Sequence, residues 1–172
     1  MTPTCVQVYT GDGKGKTTAA FGLVVRASGH GMRSYVAQFM KGQSYGELQA
    51  LEHNPHITIE QFGDQQCIRR DQVTEEHRVQ ARNGLRKARD AMLAGSFDII
   101  VLDEINVAVW FGLLAVQDLL DLLEDRPDSV ELVFTGRRAP EQLLERAHLV
   151  TEMKPVKHYY DKGLLARPGI EY

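Results

Sequence analysis

Near its start the chain reads Val6-Gln7-Val8-Tyr9-Thr10-Gly11-Asp12-Gly13-Lys14-Gly15-Lys16-Thr17-Thr18. A short apolar strand runs into a glycine-rich turn, and the turn ends in Gly-Lys-Thr-Thr at the head of a helical segment. Strand, tight loop and helix in that order form a phosphate-binding P-loop. Glycines let the backbone close around phosphate oxygens, successive N–H groups make an anion-binding nest, and the helix N-terminus adds its positive end. Lys16 is placed to reach the phosphates and Thr17 to face a Mg2+ ion with its hydroxyl. The strict pattern has a glycine where this chain has Thr10. Counted from Gly11 the loop is one position short, which predicts an unusual register for the bound triphosphate.

The rest of the chain alternates short apolar runs with longer amphipathic ones, the mark of an α/β domain with a largely parallel sheet. Strands are expected at about Cys5–Tyr9, Ser34–Gln38, Ile57–Gln61, Phe97–Glu104, Val130–Phe134 and Leu149–Glu152. Helices are expected from Thr17 to about Ser28, over Tyr45–His53, from a Thr74 cap to about Ala94, over Leu113–Glu124, and from Pro140 to about Ala147. Gly29-His30-Gly31, Gly95 and Pro127 supply the stops. Gly63–Gln72 reads as a polar irregular loop, and Lys154–Tyr172 as a tail that is basic at first and then irregular. The expected fold is therefore a single P-loop NTPase (RecA-like) domain over residues 1–172, with a mostly parallel central sheet flanked by helices.

At 172 residues the chain fits one domain with its own core, and a net charge of −3 argues against a dedicated nucleic-acid binder. Cys5 and Cys67 show no metal-ligand spacing and read as free thiols of a reducing cytoplasm. No apolar run is long enough to span a bilayer, and no apolar signal segment precedes the first strand. The expectation is a cytoplasmic protein with no membrane and no nucleic-acid partner.

Ile99-Ile100-Val101-Leu102-Asp103-Glu104 resembles a Walker B strand, which delivers a carboxylate to the metal on nucleotide phosphates. With two adjacent acids, one can hold the P-loop or a metal-bound water while the other binds Mg2+. Lys41 lies in Phe39-Met40-Lys41-Gly42, a loop at a strand's C-terminal end, where open α/β sheets place their ligands. Lys41 and Arg137 follow strands at the P-loop end of the sheet and can neutralise a polyphosphate. Arg26 lies two to three turns down the P-loop helix. His158 stands alone, and no spacing suggests structural zinc or a Ser/His/Asp arrangement. These residues predict Mg-nucleotide binding but leave hydrolase, kinase, motor and other transferase open.

Five segments together resemble the P-loop ATP:corrinoid adenosyltransferases, which act on cob(I)alamin or cob(I)yrinic acid a,c-diamide. They are Tyr9–Gly31 with its short loop, Val36-Ala37-Gln38-Phe39-Met40-Lys41-Gly42, Leu102-Asp103-Glu104, Thr135-Gly136-Arg137, and Lys154-Pro155-Val156-Lys157-His158 with the closing Gly169-Ile170-Glu171-Tyr172. The resemblance covers nearly the whole chain, and the short loop is a family trait, with Asp12 in place of a usual Asn. It implies that Co(I) attacks C5′ of ATP and triphosphate leaves, with the nucleotide reversed relative to ordinary P-loop enzymes. It assigns the triphosphate to Gly11, Asp12, Gly13, Lys14, Gly15, Lys16, Thr17 and Thr18, and the catalytic roles to Lys16, Thr17 and Glu104. Mg2+ or Mn2+ falls to Thr17 and Glu104 with Asp103. Arg26 and Arg137 become further phosphate contacts, and Gln38 and Lys41 sit near the nucleotide. A homodimer and a flavoprotein or flavin reductant are the partners it implies.

The sequence departs from the family pattern twice. Many members carry an N-terminal helical extension that helps cover the corrinoid, whereas here the first strand starts almost at once. Many carry a Phe-x-Trp pair in the loop matching Gly63–Asp71, where aromatics displace the lower cobalt ligand. This loop has no aromatic after Phe62, which either substitutes or packs in the core; Cys67 and Arg69 are the loop's other candidates for a role. Two other readings fit the residues: an ATPase or kinase on another small molecule, and a non-catalytic nucleotide- or corrinoid-binding module.

Overall fold

The computed structural model describes residues 4–66 and 68–172; Cys67 lies outside the described residues. Six strands form one all-parallel sheet in the order β3-β2-β4-β5-β1-β6. In chain order the elements are β1 (Val6–Thr10), α1 (Lys16–Ser28), β2 (Ser34–Phe39), α2 (Gly46–Leu51), β3 (Ile57–Phe62), α3 (Glu75–Leu93), β4 (Ile99–Asp103), α4 (Ile105–Trp110), α5 (Val116–Glu124), β5 (Glu131–Thr135), α6 (Glu141–Arg146) and β6 (Leu149–Glu152). Single 3-10 turns occur at Arg70–Gln72 and Tyr159–Lys162.

Helices cover both faces of a parallel sheet, so its central strands are buried on both sides and read as continuous apolar runs. Every residue of β2 and β4 is buried. On one face Ala20, Phe21 and Val24 of α1 pack on Val36, Ile99, Val101 and Val133. On the other, residues of α3, α4, α5 and α6 meet Tyr35, Ala37, Phe39, Ile100, Leu102, Leu132 and Phe134. Leu119 and Leu122 of α5 are buried in this same core, so the helix spends its apolar stripe on its own sheet. No helix among the described residues is long and apolar enough to cross a membrane.

Local chemistry explains most boundaries. Thr74 caps α3: its Oγ1 accepts from the His77 amide, and His77 Nδ1 accepts from the Thr74 amide at 2.9 Å. Histidine thus stands where a capping box usually has Glu or Gln. The expected strand over Phe97–Glu104 is shorter at both ends. Asp98 turns aside to accept the Arg33 amide at 2.7 Å. Glu104 takes a left-handed conformation, φ 61°, and opens α4, a helix that sequence periodicity did not reveal. The expected helix over Leu113–Glu124 begins only at Val116, because Gly112 turns with φ 71° and Leu113 and Leu114 are buried as loop residues.

Phe62 packs in the core against Phe39, ring centroids 6.1 Å apart, and is 8% exposed. Gly84 of α3 makes room for it: a Cβ there would lie 2.7 Å from Phe62 Cγ. Gly84→Ala gains up to about 1 kcal/mol of helix propensity. The collision with buried rings costs about 1–3 kcal/mol. Net destabilisation is expected in urea unfolding; a more stable variant would contradict this packing of α3 on β3.

Candidate active site

The parallel strands all point their C-terminal ends to one edge of the sheet, where ligands of such folds are bound. The glycine loop leaves β1 at Thr10 and becomes α1 at Lys16. Gly15 is the N-cap of α1 in a left-handed conformation, φ 117°, and no side chain caps this helix. Its first-turn N–H groups thus lack the usual side-chain acceptor and add to the positive end of the helix dipole. Gly11 and Gly13 meet a different demand. A Cβ on either would fall 2.5 or 2.6 Å from the Met153 carbonyl oxygen, and the Gly13 amide donates to that oxygen at 2.7 Å. These two glycines let the chain beyond β6 run directly against the loop. Lys16, 6% exposed, donates from Nζ to the carbonyls of Gly11 at 2.8 Å and Gly13 at 2.7 Å. Burial lowers its pKa, partly offset by Glu104, while Arg137 adds to the lowering.

Asp103 ends β4 fully buried, in register with Gln38 of β2. Its Oδ1 accepts from Thr17 Oγ1 at 2.9 Å and Thr135 Oγ1 at 2.6 Å; its Oδ2 accepts from Gln38 Nε2 at 3.2 Å and Lys41 Nζ at 2.9 Å. A carboxylate offers about four acceptor sites, and here four donors take them. Burial opposes the charge of Lys41, yet Asp103, Glu104 and Glu47 outweigh it and keep the amine above its ordinary range. Lys41 also lies 4.9 Å from the Tyr45 ring centroid. Gln61 Nε2 donates to Gln38 Oε1 at 3.0 Å, so a polar row crosses β3, β2 and β4 at one register.

Glu104 is positioned by its own amide, which donates to Thr135 Oγ1 at 2.9 Å. Burial and then Asp103 push its carboxyl up, while Lys41, Lys16 and Arg137 pull the other way. Among the described residues no group of three or more His, Cys, Asp or Glu is arranged to hold a metal. The oxygen donors beside the glycine loop are the Thr17 hydroxyl and the Glu104 carboxylate.

These groups border a cleft of about 810 Å3 between α1, α2 and the C-terminal tail. Of the residues singled out from sequence, Gly13, Lys14, Gly15, Lys16, Thr17, Thr18, Lys41, Glu104 and Arg137 line it. Gln38 and Asp103 are buried in the polar row beneath. Gly11 rests on Met153, and Asp12 is exposed at the loop. Arg26 is exposed and outside the lining, about 15 Å along α1 from Lys16. Lys14 directs its amine to the tail, at 2.9 Å from Tyr159 Oη, 2.8 Å from the Ile170 carbonyl and 2.7 Å from Glu171 Oε1.

Sequence reasoning missed Thr135, Tyr159 and Glu171 as parts of this site. Thr135 carries a signal in retrospect, a hydroxyl at a strand end beside Gly136. Outside the cleft lining, Trp110 is 42% exposed, with the Arg70 and Arg138 guanidinium groups 5.6 and 5.8 Å from its ring centroid.

Comparison with known proteins agrees with this architecture. Residues 3–172 match the family described as ATP:corrinoid adenosyltransferase BtuR/CobO/CobP. The chain is 37% identical over 166 residues to a corrinoid adenosyltransferase of Escherichia coli K12, covering 96% of this chain and 84% of the relative. It is 37% identical over 168 residues to corrinoid adenosyltransferase CobA of Salmonella typhimurium, again covering 96% and 84%. It is 35% identical over 171 residues to a corrinoid adenosyltransferase of Pseudomonas aeruginosa, covering 96% and 82%. The chain belongs to the ATP:corrinoid adenosyltransferase family.

A carboxyl whose pKa is raised in the fold stabilises the protein in acid and loses that contribution as pH rises through the folded value. Glu104→Gln removes this loss. The variant is therefore expected to melt above the parent at neutral pH. The gap should shrink in mild acid, as thermal denaturation at the two pH values will show. Equal melting temperatures throughout would mean that Glu104 is not strained in its ionised form.

Proposed function

We propose that this chain transfers the 5′-deoxyadenosyl group of ATP to the Co(I) of a corrinoid, cobalamin or cobyrinic acid a,c-diamide, and releases triphosphate, in adenosylcobalamin biosynthesis or salvage. Family membership and the curated relatives support corrinoid adenosylation itself. The observation that carries the finer chemistry is the meeting of Lys16, the uncapped start of α1, and the Thr17–Asp103–Glu104 group at one end of the cleft.

In this reading the glycine loop is a P-loop that receives the triphosphate. The electron pair of Co(I) forms the Co–C5′ bond as the C5′–O bond breaks, and the electrons of that bond leave on the triphosphate. The protein supplies no nucleophile; it positions the substrates and stabilises leaving charge. Lys16 turns from the loop carbonyls to the phosphate oxygens. Lys41 and Arg137 add positive charge at the rim.

The hard oxygen donors of Thr17 and Glu104 would hold a Mg2+ or Mn2+ ion. When bound, such an ion supplies positive charge against the departing triphosphate. Asp103 would serve beside it by accepting from the Thr17 hydroxyl, which leaves the Thr17 lone pairs available as ligands. Arg26 contributes to the phosphate field only at long range. A homodimer and a flavoprotein or flavin reductant for the Co(II) state complete the reading.

The decisive test is an anaerobic assay with MgATP and chemically reduced cob(I)alamin or cob(I)yrinic acid a,c-diamide. The expected products are a light-sensitive alkylcorrinoid and inorganic triphosphate. ADP or a phosphorylated product would point instead to an ATPase or kinase, and binding without turnover to a non-catalytic module. Lys16→Ala is expected to lower kcat/KM by about a hundredfold or more with the fold intact by circular dichroism. Wild-type turnover in that variant would remove Lys16 from the site.

A further inference from the structure

The loop tip is pinned from outside, at two adjacent residues. Gly13 is held by its amide on the Met153 carbonyl. Lys14 is held by its side chain, whose three N–H donors meet Tyr159 Oη, the Ile170 carbonyl and Glu171 Oε1. Surface Lys–Glu pairs usually contribute little because each end is free to move. This one differs because its carboxylate is built in. Glu171 also accepts from the Tyr159 hydroxyl and from the Arg167 amide at 2.8 Å, and its side chain is only 18% exposed. Arg167 in turn lies 5.0 Å from the Tyr159 ring centroid, and the last residues fold back through a Gly169 amide to Tyr172 carbonyl bond of 2.7 Å. The Lys14, Tyr159 and Arg167 donors hold the Glu171 carboxyl well below the usual carboxylate range, so it is ionised across physiological pH. The same segment, Gly169 to Tyr172, walls the cleft.

We propose that Glu171 and Tyr159 are positioning residues for adenosyl transfer: through Lys14 they hold the tip of the glycine loop in the shape that receives the triphosphate. The proposal rests on the transferase reading above. Its physical basis is entropy. A loop with glycine at 11, 13 and 15 has much freedom to lose when it wraps a ligand, and a tip fixed beforehand has already lost it. Lys14 then acts as a tether, and the phosphates are left to the backbone and Lys16. The opposite arrangement, in which Glu171 withholds Lys14 from the phosphates, predicts the reverse sign for the same substitution.

The test is titration calorimetry of the full chain with Mg2+ and either ATP or inorganic tripolyphosphate, on the parent, Glu171→Gln, Lys14→Met and the double variant. Each single change is expected to weaken both ligands by about tenfold. The double variant should be no weaker than either single, because one interaction is lost in all three. In turnover, KM for ATP should rise by a similar factor, with kcat within about twofold. Tighter tripolyphosphate binding by Glu171→Gln, unchanged binding, or additive losses in the double variant would each overturn the proposal. Tyr159→Phe removes one hydroxyl, and a loss of about threefold is expected there even if Glu171→Gln proves unstable. If the parent binds both polyanions but forms no adenosylated corrinoid, the transferase reading fails while the tether is still tested.

Discussion

The site is organised around one buried charge. Asp103 is fully buried, and a carboxylate in that position must be met by donors or it destabilises the fold. Its four donors come from α1, β2, β5 and the loop after β2. Satisfying this group therefore fixes the relative positions of the first turn of α1 and three strand ends. Thr135 does two jobs, since its oxygen donates to Asp103 and accepts from the Glu104 amide. The carboxylate beside the cleft is thus aimed by the contacts that neutralise the carboxylate beneath it.

The cost of this arrangement is visible in the backbone. Three non-glycine residues adopt positive φ among the described residues: Met40 at 58°, Glu104 at 61° and Arg138 at 59°. They follow β2, β4 and β5, the strands whose ends supply Gln38, Asp103 and Thr135. Strained conformations of this kind persist where surrounding packing over-determines them, and here they turn the chain sharply out of the sheet at its ligand edge. Lys41, Glu104 and Arg137 all reach the cleft from those turns.

Most of the architecture was legible because local and global signals agree. The six strands were expected where they occur, to within two residues at each end, since each is a short apolar run bounded by turn residues. The helix α4 was not legible, because Ile105–Trp110 has no polar face to mark a period and its start depends on the left-handed turn at Glu104. The same limit holds in the site. The glycine loop and the Asp-Glu pair announce themselves within a few residues. The partners of Lys14 do not, because Ile170 lies 156 positions away. Phe62 could be read from sequence as loop or core, and Gly84, a distant glycine on α3, settles it as core.

The contact between the glycine loop and Met153 ties together two segments about 140 residues apart. Gly11 and Gly13 are shaped to accept a backbone that comes after β6, and β6 pairs with β1 through Gln7 and Leu149. During synthesis, then, β1 and its loop wait for a segment made more than 130 residues later. Residues 6–28 can form a strand and a helix early, but the loop between them lacks its contact with Met153 until the chain past residue 153 has left the ribosome. A nascent chain stalled before that point would carry the glycine-loop sequence without its shape, and the cleft would mature only once that later segment is in place.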